Sequence, residues 1–90
     1  MKISKSKREK ISEQILALLY SVVPTSIFTS YVAKEIARDE EFIKSILTEL
    51  KEKKLVIEIK KNSKGAPYLR RAKWRISDLA YQVYKNYQNL

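Results

Sequence analysis

The sequence predicts a mainly helical α+β domain: a three-helix core, a two-stranded β-hairpin and a closing helix. Three observations predict it. Between Phe28 and Val56, in FTSYVAKEIARDEEFIKSILTELKEKKLV, apolar residues recur at i, i+3 and i+4 in two short runs parted by Arg38-Asp39. From Leu55 the apolar period drops to two, which is the period of a strand with one covered face. Charge is segregated as well, because residues 54–75 carry eight Lys/Arg against one Glu.

The chain reads as a basic flexible arm at 1–5 and a single domain at 6–90. Within the domain, a helix-turn-helix occupies 29–53, a hairpin 55–76 and a last helix 78–88. Ser6 and Glu9 fit a capping box. The first helix then runs to Tyr20 or Ser21, with Ile11, Ile15, Leu18 and Leu19 as its stripe and Leu16 and Val22 widening it. Pro24 ends it. Ser26-Ile27-Phe28 has room only for a turn or a three-residue strand. Thr29 or Ser30 is the expected cap of a helix from Tyr31 to Ala37, which buries Val32, Ala33 and Ile36. Asp39 caps the next helix, Glu40 to about Lys53, and Glu40 and Glu41 suit the positive end of its dipole. Ile43, Ile46, Leu47 and Leu50 face inward there.

In the hairpin, Leu55 and Ile57 are expected to point inward beside Trp74 and Ile76. Lys61 to Pro67 supply the turn. Tyr68, Arg70, Ala72, Trp74 and Ile76 share one face of the second strand, and Leu69, Arg71, Lys73 and Arg75 share the other. Ser77 caps the last helix, whose stripe is Leu79, Ala80, Val83, Tyr84 and Tyr87.

Composition removes several classes of function. Ninety residues make one small domain. There is no Cys and no His, hence no disulfide, no thiol nucleophile, no Cys-based zinc site and no imidazole base. No apolar run approaches the ~20 residues that cross a bilayer, and no apolar segment follows the basic start as a signal peptide requires. The expected place is the cytoplasm. One Gly, no Cys and abundant Lys and Glu suit a heat-adapted organism. The single Gly65 lies in the hairpin turn, so no Gly-rich phosphate loop exists. Asp39-Glu40-Glu41 is explained by helix-start chemistry, and Ser63-Lys64 has no third group. We therefore expect no enzyme, no metal and no cofactor.

The charge distribution points to a polyanion. The net charge is +9. Residues 1–10 hold five Lys/Arg against one Glu, whereas residues 11–53 hold five against seven Asp/Glu. A basic arm (Lys2, Lys5, Lys7, Arg8, Lys10) and a basic hairpin (Lys60, Lys61, Lys64, Arg70, Arg71, Lys73, with Arg75) attract phosphates, and nucleic acid is the commonest polyanion in a cell. A lysine-rich edge hairpin also keeps a protein soluble. Free N–H groups beside Thr29, Ser30 and Tyr31 would seat a further phosphate.

The ordered set VAKEIARDEEFIKSILTELKEKKLV, a basic hairpin and WRIS opening a helix resembles the winged helix-turn-helix family, over roughly Ser6 to Tyr87. Val32-Ala33, Leu50, Leu55-Val56 and Trp74-Arg75-Ile76-Ser77 occupy the family's places. Two positions depart from it: Lys54 stands where members often have Gly, and the third helix opens acidic. The resemblance implies a small prokaryotic or archaeal transcriptional regulator that binds double-stranded DNA. Its third helix would read the major groove through Lys44, Ser45 and Thr48. It also implies a homodimer built on the last helix through Leu79, Val83, Tyr84 and Tyr87. The other readings of the same features are an interaction module docking an acidic partner, which the acidic helix start would favour, and RNA binding through the hairpin.

Overall fold

Neither half of the central helical stretch would persist alone in water, because isolated helices under about 12–15 residues are marginal. A shared core holds both. The structure, a computed structural model, describes residues 5–61, 64–65 and 71–88. In chain order it runs α1 (Lys5–Ser21), β1 (Ile27–Phe28), α2 (Thr29–Ile36), α3 (Glu40–Glu52), β2 (Val56–Ile59), β3 (Lys73–Ile76) and α4 (Asp78–Gln88). The strands form an antiparallel sheet in the order β1-β3-β2. Ile11, Ile15 and Leu19 of α1, Val32 of α2, the inward stripe of α3, and Val56, Trp74 and Ile76 of the sheet make one buried cluster.

Local chemistry explains most boundaries. The Asp39 carboxylate accepts from the Phe42 N–H at 3.2 Å and so caps α3. Ser77 does the same for α4, its hydroxyl accepting from the Ala80 N–H at 3.1 Å. Both α2 and α3 end in the paired bonds of a Schellman motif. After α2, the Arg38 N–H reaches Ala33 O and the Ala37 N–H reaches Lys34 O. After α3, the Leu55 N–H reaches Leu50 O and the Lys54 N–H reaches Lys51 O. Each motif needs a left-handed residue, and the chain supplies Ala37 (φ 61°) and Lys54 (φ 64°) rather than glycine. Glycine would adopt this conformation at position 54 without a Cβ penalty. A Lys54→Gly chain should gain about 0.5–1 kcal/mol, the relieved backbone strain exceeding glycine's extra unfolded-state entropy. A urea midpoint below that of the parent would contradict this.

Several sequence expectations are corrected. Ser6 lies inside α1 rather than at its cap, since α1 already includes Lys5. Lys5, Lys7, Arg8 and Lys10 thus ride on a helix, not on an arm; Lys2 lies outside the described residues. The short stretch before α2 is a two-residue strand, Ile27 pairing with Trp74 and Phe28 with Lys73. α2 starts at Thr29 with Phe28 as its cap residue and no side-chain cap bond. On β2 the inward face is offset by one residue from the alternation expected of Leu55 and Ile57. Val56 lies opposite Ile76 and Glu58 opposite Trp74, so Val56 is the buried residue, while Leu55 and Ile57 are half-buried. The Leu55 N–H is taken by the α3 terminus, which delays the strand and shifts its faces.

The last helix also turns differently. Ala80, Tyr81 and Tyr84 face α1, where Tyr20 packs 5.4 Å from both tyrosine rings. Burial raises the Tyr84 phenol above its usual pKa, and the Glu13 carboxylate adds to the effect. Leu79, Val83 and Tyr87 are left outward, at 64%, 59% and 76% exposure.

Candidate nucleic-acid interface

An exposed helix face and a basic hairpin can act together only if they lie on the same side. Lys44, Thr48 and Lys51 follow each other at i, i+4 and i+7 along α3 and are exposed. The Lys51 Nζ donates to Glu58 Oε1 of β2 at 2.8 Å. That bond ties the exposed stripe of α3 to the hairpin's first strand. The opposite edge of the stripe is flanked by α1. There the Arg8 guanidinium donates to Glu49 Oε2 from Nε and Nη2, at 3.0 and 2.9 Å. It also reaches Ser45 Oγ at 3.4 Å and lies 5.6 Å from the centre of the Phe42 ring. The helix is thus fixed from both flanks, with Glu40, Lys44 and Thr48 open between them.

The hairpin's described cations lie mostly toward its turn. Ile59 pairs with Lys73 and Ile57 with Arg75 across β2 and β3. The Lys73 ammonium and the Arg71 guanidinium both sit over the Phe28 ring, at 4.9 and 5.6 Å. Arg71 is exposed and Lys73 half-exposed. Phe28 immediately precedes α2, so these two cations stand beside the start of that helix. Arg75 turns elsewhere, donating to Ile76 O at 3.2 Å and lying 3.6 Å from Asp78. Lys60 lies 3.8 Å from Glu58. Lys61 and Lys64 are exposed. Among the described residues, Lys44 and Lys61 have no carboxylate within 4.0 Å. Arg70 lies outside the described residues.

Not every expected site residue can serve. Thr29 is buried, and its hydroxyl is used internally: it accepts from the Trp74 indole N–H at 2.8 Å and faces Ala72 O at 3.4 Å. The Thr29 N–H also goes to Ala72 O. Thr29 therefore cannot seat a phosphate, whereas Ser30 and Tyr31 are exposed. Ser45 donates to Phe42 O at 2.6 Å on the flank that Arg8 covers, away from the Lys44–Thr48 stripe. Tyr84 is half-buried against Tyr20 and is withdrawn from the outward surface of α4. Sequence reasoning missed Phe28 and Glu58. Glu58 carried a signal, being the one acid among the eight cations of residues 54–75; Phe28 carried none.

No family model and no curated protein matches the chain. Solved structures do. MepR of Staphylococcus aureus in complex with DNA superposes with a TM-score of 0.75 at 15% identity, covering 93% of this chain and 66% of that one. MepR, described as a transcription regulator of the multidrug efflux pump MepA, gives a TM-score of 0.70 at 16% identity, covering 88% and 54%. An apo mutant of ZitR from Lactococcus lactis gives 0.71 at 18% identity, covering 93% and 58%. The likeness is one of fold: this chain has the winged helix-turn-helix architecture and spans 54 to 66% of the length of those three chains.

Proposed function

We propose that this chain binds double-stranded DNA and regulates transcription, working as a binding protein and not as an enzyme. α3 lies in the major groove and the turn end of the hairpin follows the adjacent phosphates. The observation that carries this reading is the Lys51–Glu58 bond, which joins the open stripe of α3 to β2, the first strand of the basic hairpin. The fold shared with MepR, solved on DNA, supports it. Lys44 and Thr48 are the candidate base-reading residues, a lysine for guanine and a threonine for the thymine methyl. Ser30, Tyr31, Arg71, Lys73, Lys61 and Lys64 are the candidate phosphate contacts. Glu40 and Glu41 repel phosphates, so the helix enters by its later turns, with its first turn at the groove's rim.

The outward Leu79, Val83 and Tyr87 lie at i, i+4 and i+8 on α4. Three large apolar side chains in one exposed line support a homodimer, which would place two third helices about one DNA turn apart. Among the described residues no helix is long and apolar enough to cross a membrane, and the cytoplasm is the compartment this reading requires. Selection of bound fragments from random duplex DNA tests the whole reading. Enriched fragments should carry an inverted repeat, and retention should fall steeply with salt. No enrichment at low salt overturns the reading; enrichment of single sites without symmetry overturns the dimer alone.

A further inference from the structure

Glu58 is placed where an ordinary surface carboxylate would not be. Strand register sets it across from Trp74, on the Val56 side of β2, and its side chain is only 12% exposed. Two ammoniums converge on its Oε1, Lys51 at 2.8 Å from α3 and Lys60 at 3.8 Å from the end of β2. One cation therefore comes from each of the two elements that face the duplex. The carboxylate neutralises cations that a backbone phosphate would otherwise meet. Cations that are already neutralised release fewer counterions when phosphates arrive, and counterion release is the source of sequence-independent affinity.

We propose that Glu58 is a specificity-determining residue: its carboxylate withholds Lys51 and Lys60 from indiscriminate phosphate binding. Affinity then depends more on what α3 reads in the groove. This rests on the duplex-binding reading above and deepens it. A purely structural role would need only the shape and one hydrogen-bond acceptor, both of which glutamine keeps. The restraining role needs the negative charge, which glutamine lacks and aspartate retains.

The test compares the parent, Glu58→Gln and Glu58→Asp on random duplex and on the best selected duplex, across salt. The Gln chain should bind random duplex about 5- to 30-fold more tightly at ~0.15 M salt, with a log–log slope steeper by about 1 to 2, as one or two phosphates are newly neutralised. Its preference for the selected duplex should shrink accordingly, and the Asp chain should keep a slope near the parent's. Nitrogen NMR of the lysine ammoniums in the parent gives a second measure that needs no variant to fold. On random duplex, the Lys51 and Lys60 signals should stay near their free positions while that of Lys61 moves. Unchanged Gln binding beside a binding parent, Gln and Asp chains that behave alike, or Lys51 and Lys60 signals that move as far as Lys61 would each overturn the role of Glu58. A parent that binds no duplex at any salt overturns the functional reading, and this proposal with it.

Discussion

A Trp74→Ala chain should lose most of its stability, about 3–5 kcal/mol. Trp74 is 1% exposed and lies on the central strand of the sheet, so its loss removes the largest buried side chain and leaves a cavity. Truncations of this kind cost about 3–5 kcal/mol, set against a total of about 5–15 kcal/mol for a domain, and a small domain lies near the low end. The indole also has a polar partner: its N–H donates to Thr29 Oγ1 at 2.8 Å. Thr29→Val keeps the shape but orphans that donor, and should cost about 1–3 kcal/mol. Because the two residues share one bond, Thr29→Val and Trp74→Phe should not add; a double-mutant cycle should show coupling of about 0.5–3 kcal/mol. Urea denaturation measures each value. A Trp74→Ala chain within about 1 kcal/mol of the parent, or strictly additive double variants, would contradict the packing described here.

The second large effect is expected on binding. Arg71→Ala with Lys73→Ala removes both cations that sit over Phe28, where the hairpin turn enters β3. Affinity should fall for preferred and random duplex alike, and the salt slope should flatten by about 1.8, near 0.9 for each phosphate no longer neutralised. Lys44→Ala should behave differently, weakening the preferred duplex by about 1–3 kcal/mol while barely changing the random one. Stability should hardly change for Lys44→Ala and should fall by about 1–2 kcal/mol for the Arg71/Lys73 pair, whose two contacts with Phe28 are worth about 0.5–1 kcal/mol each. If the Arg71/Lys73 pair leaves random-duplex affinity unchanged, this end of the hairpin does not bind phosphate.

Much of this was legible in the sequence because it depends on near neighbours. The spacing of Ile43, Ile46, Leu47 and Leu50 sets the buried face of α3, and all four are buried. Asp39 and Ser77 cap the helices that follow them. What was not legible depends on partners far along the chain or on the exact end of a helix. The inward face of β2 turned on Leu55 being held by the Schellman bond to Leu50. Thr29 looks like a cap on its own, yet it is claimed by Trp74, forty-five positions away. The α4 faces were ambiguous because apolar and aromatic residues cover more than half of the helix, leaving Asp78, Gln82, Lys85 and Asn86 as its polar face; Tyr20 on α1 decided which tyrosines turned inward. Charge clustering identified the basic hairpin, but composition cannot tell that Lys51 and Lys60 meet at Glu58 or that Arg8 meets Glu49.

The open stripe of α3 and the turn end of the hairpin are proposed to form a single duplex-binding face. Backbone amide NMR of the chain, titrated with a selected duplex at moderate salt, addresses it most directly. Shifts should concentrate at Lys44 to Lys51, Lys60, Lys61, Arg71 and Lys73, with Leu79, Val83 and Tyr87 unmoved by DNA. Shifts centred on the outer face of α4, with the α3 stripe unmoved, would contradict it.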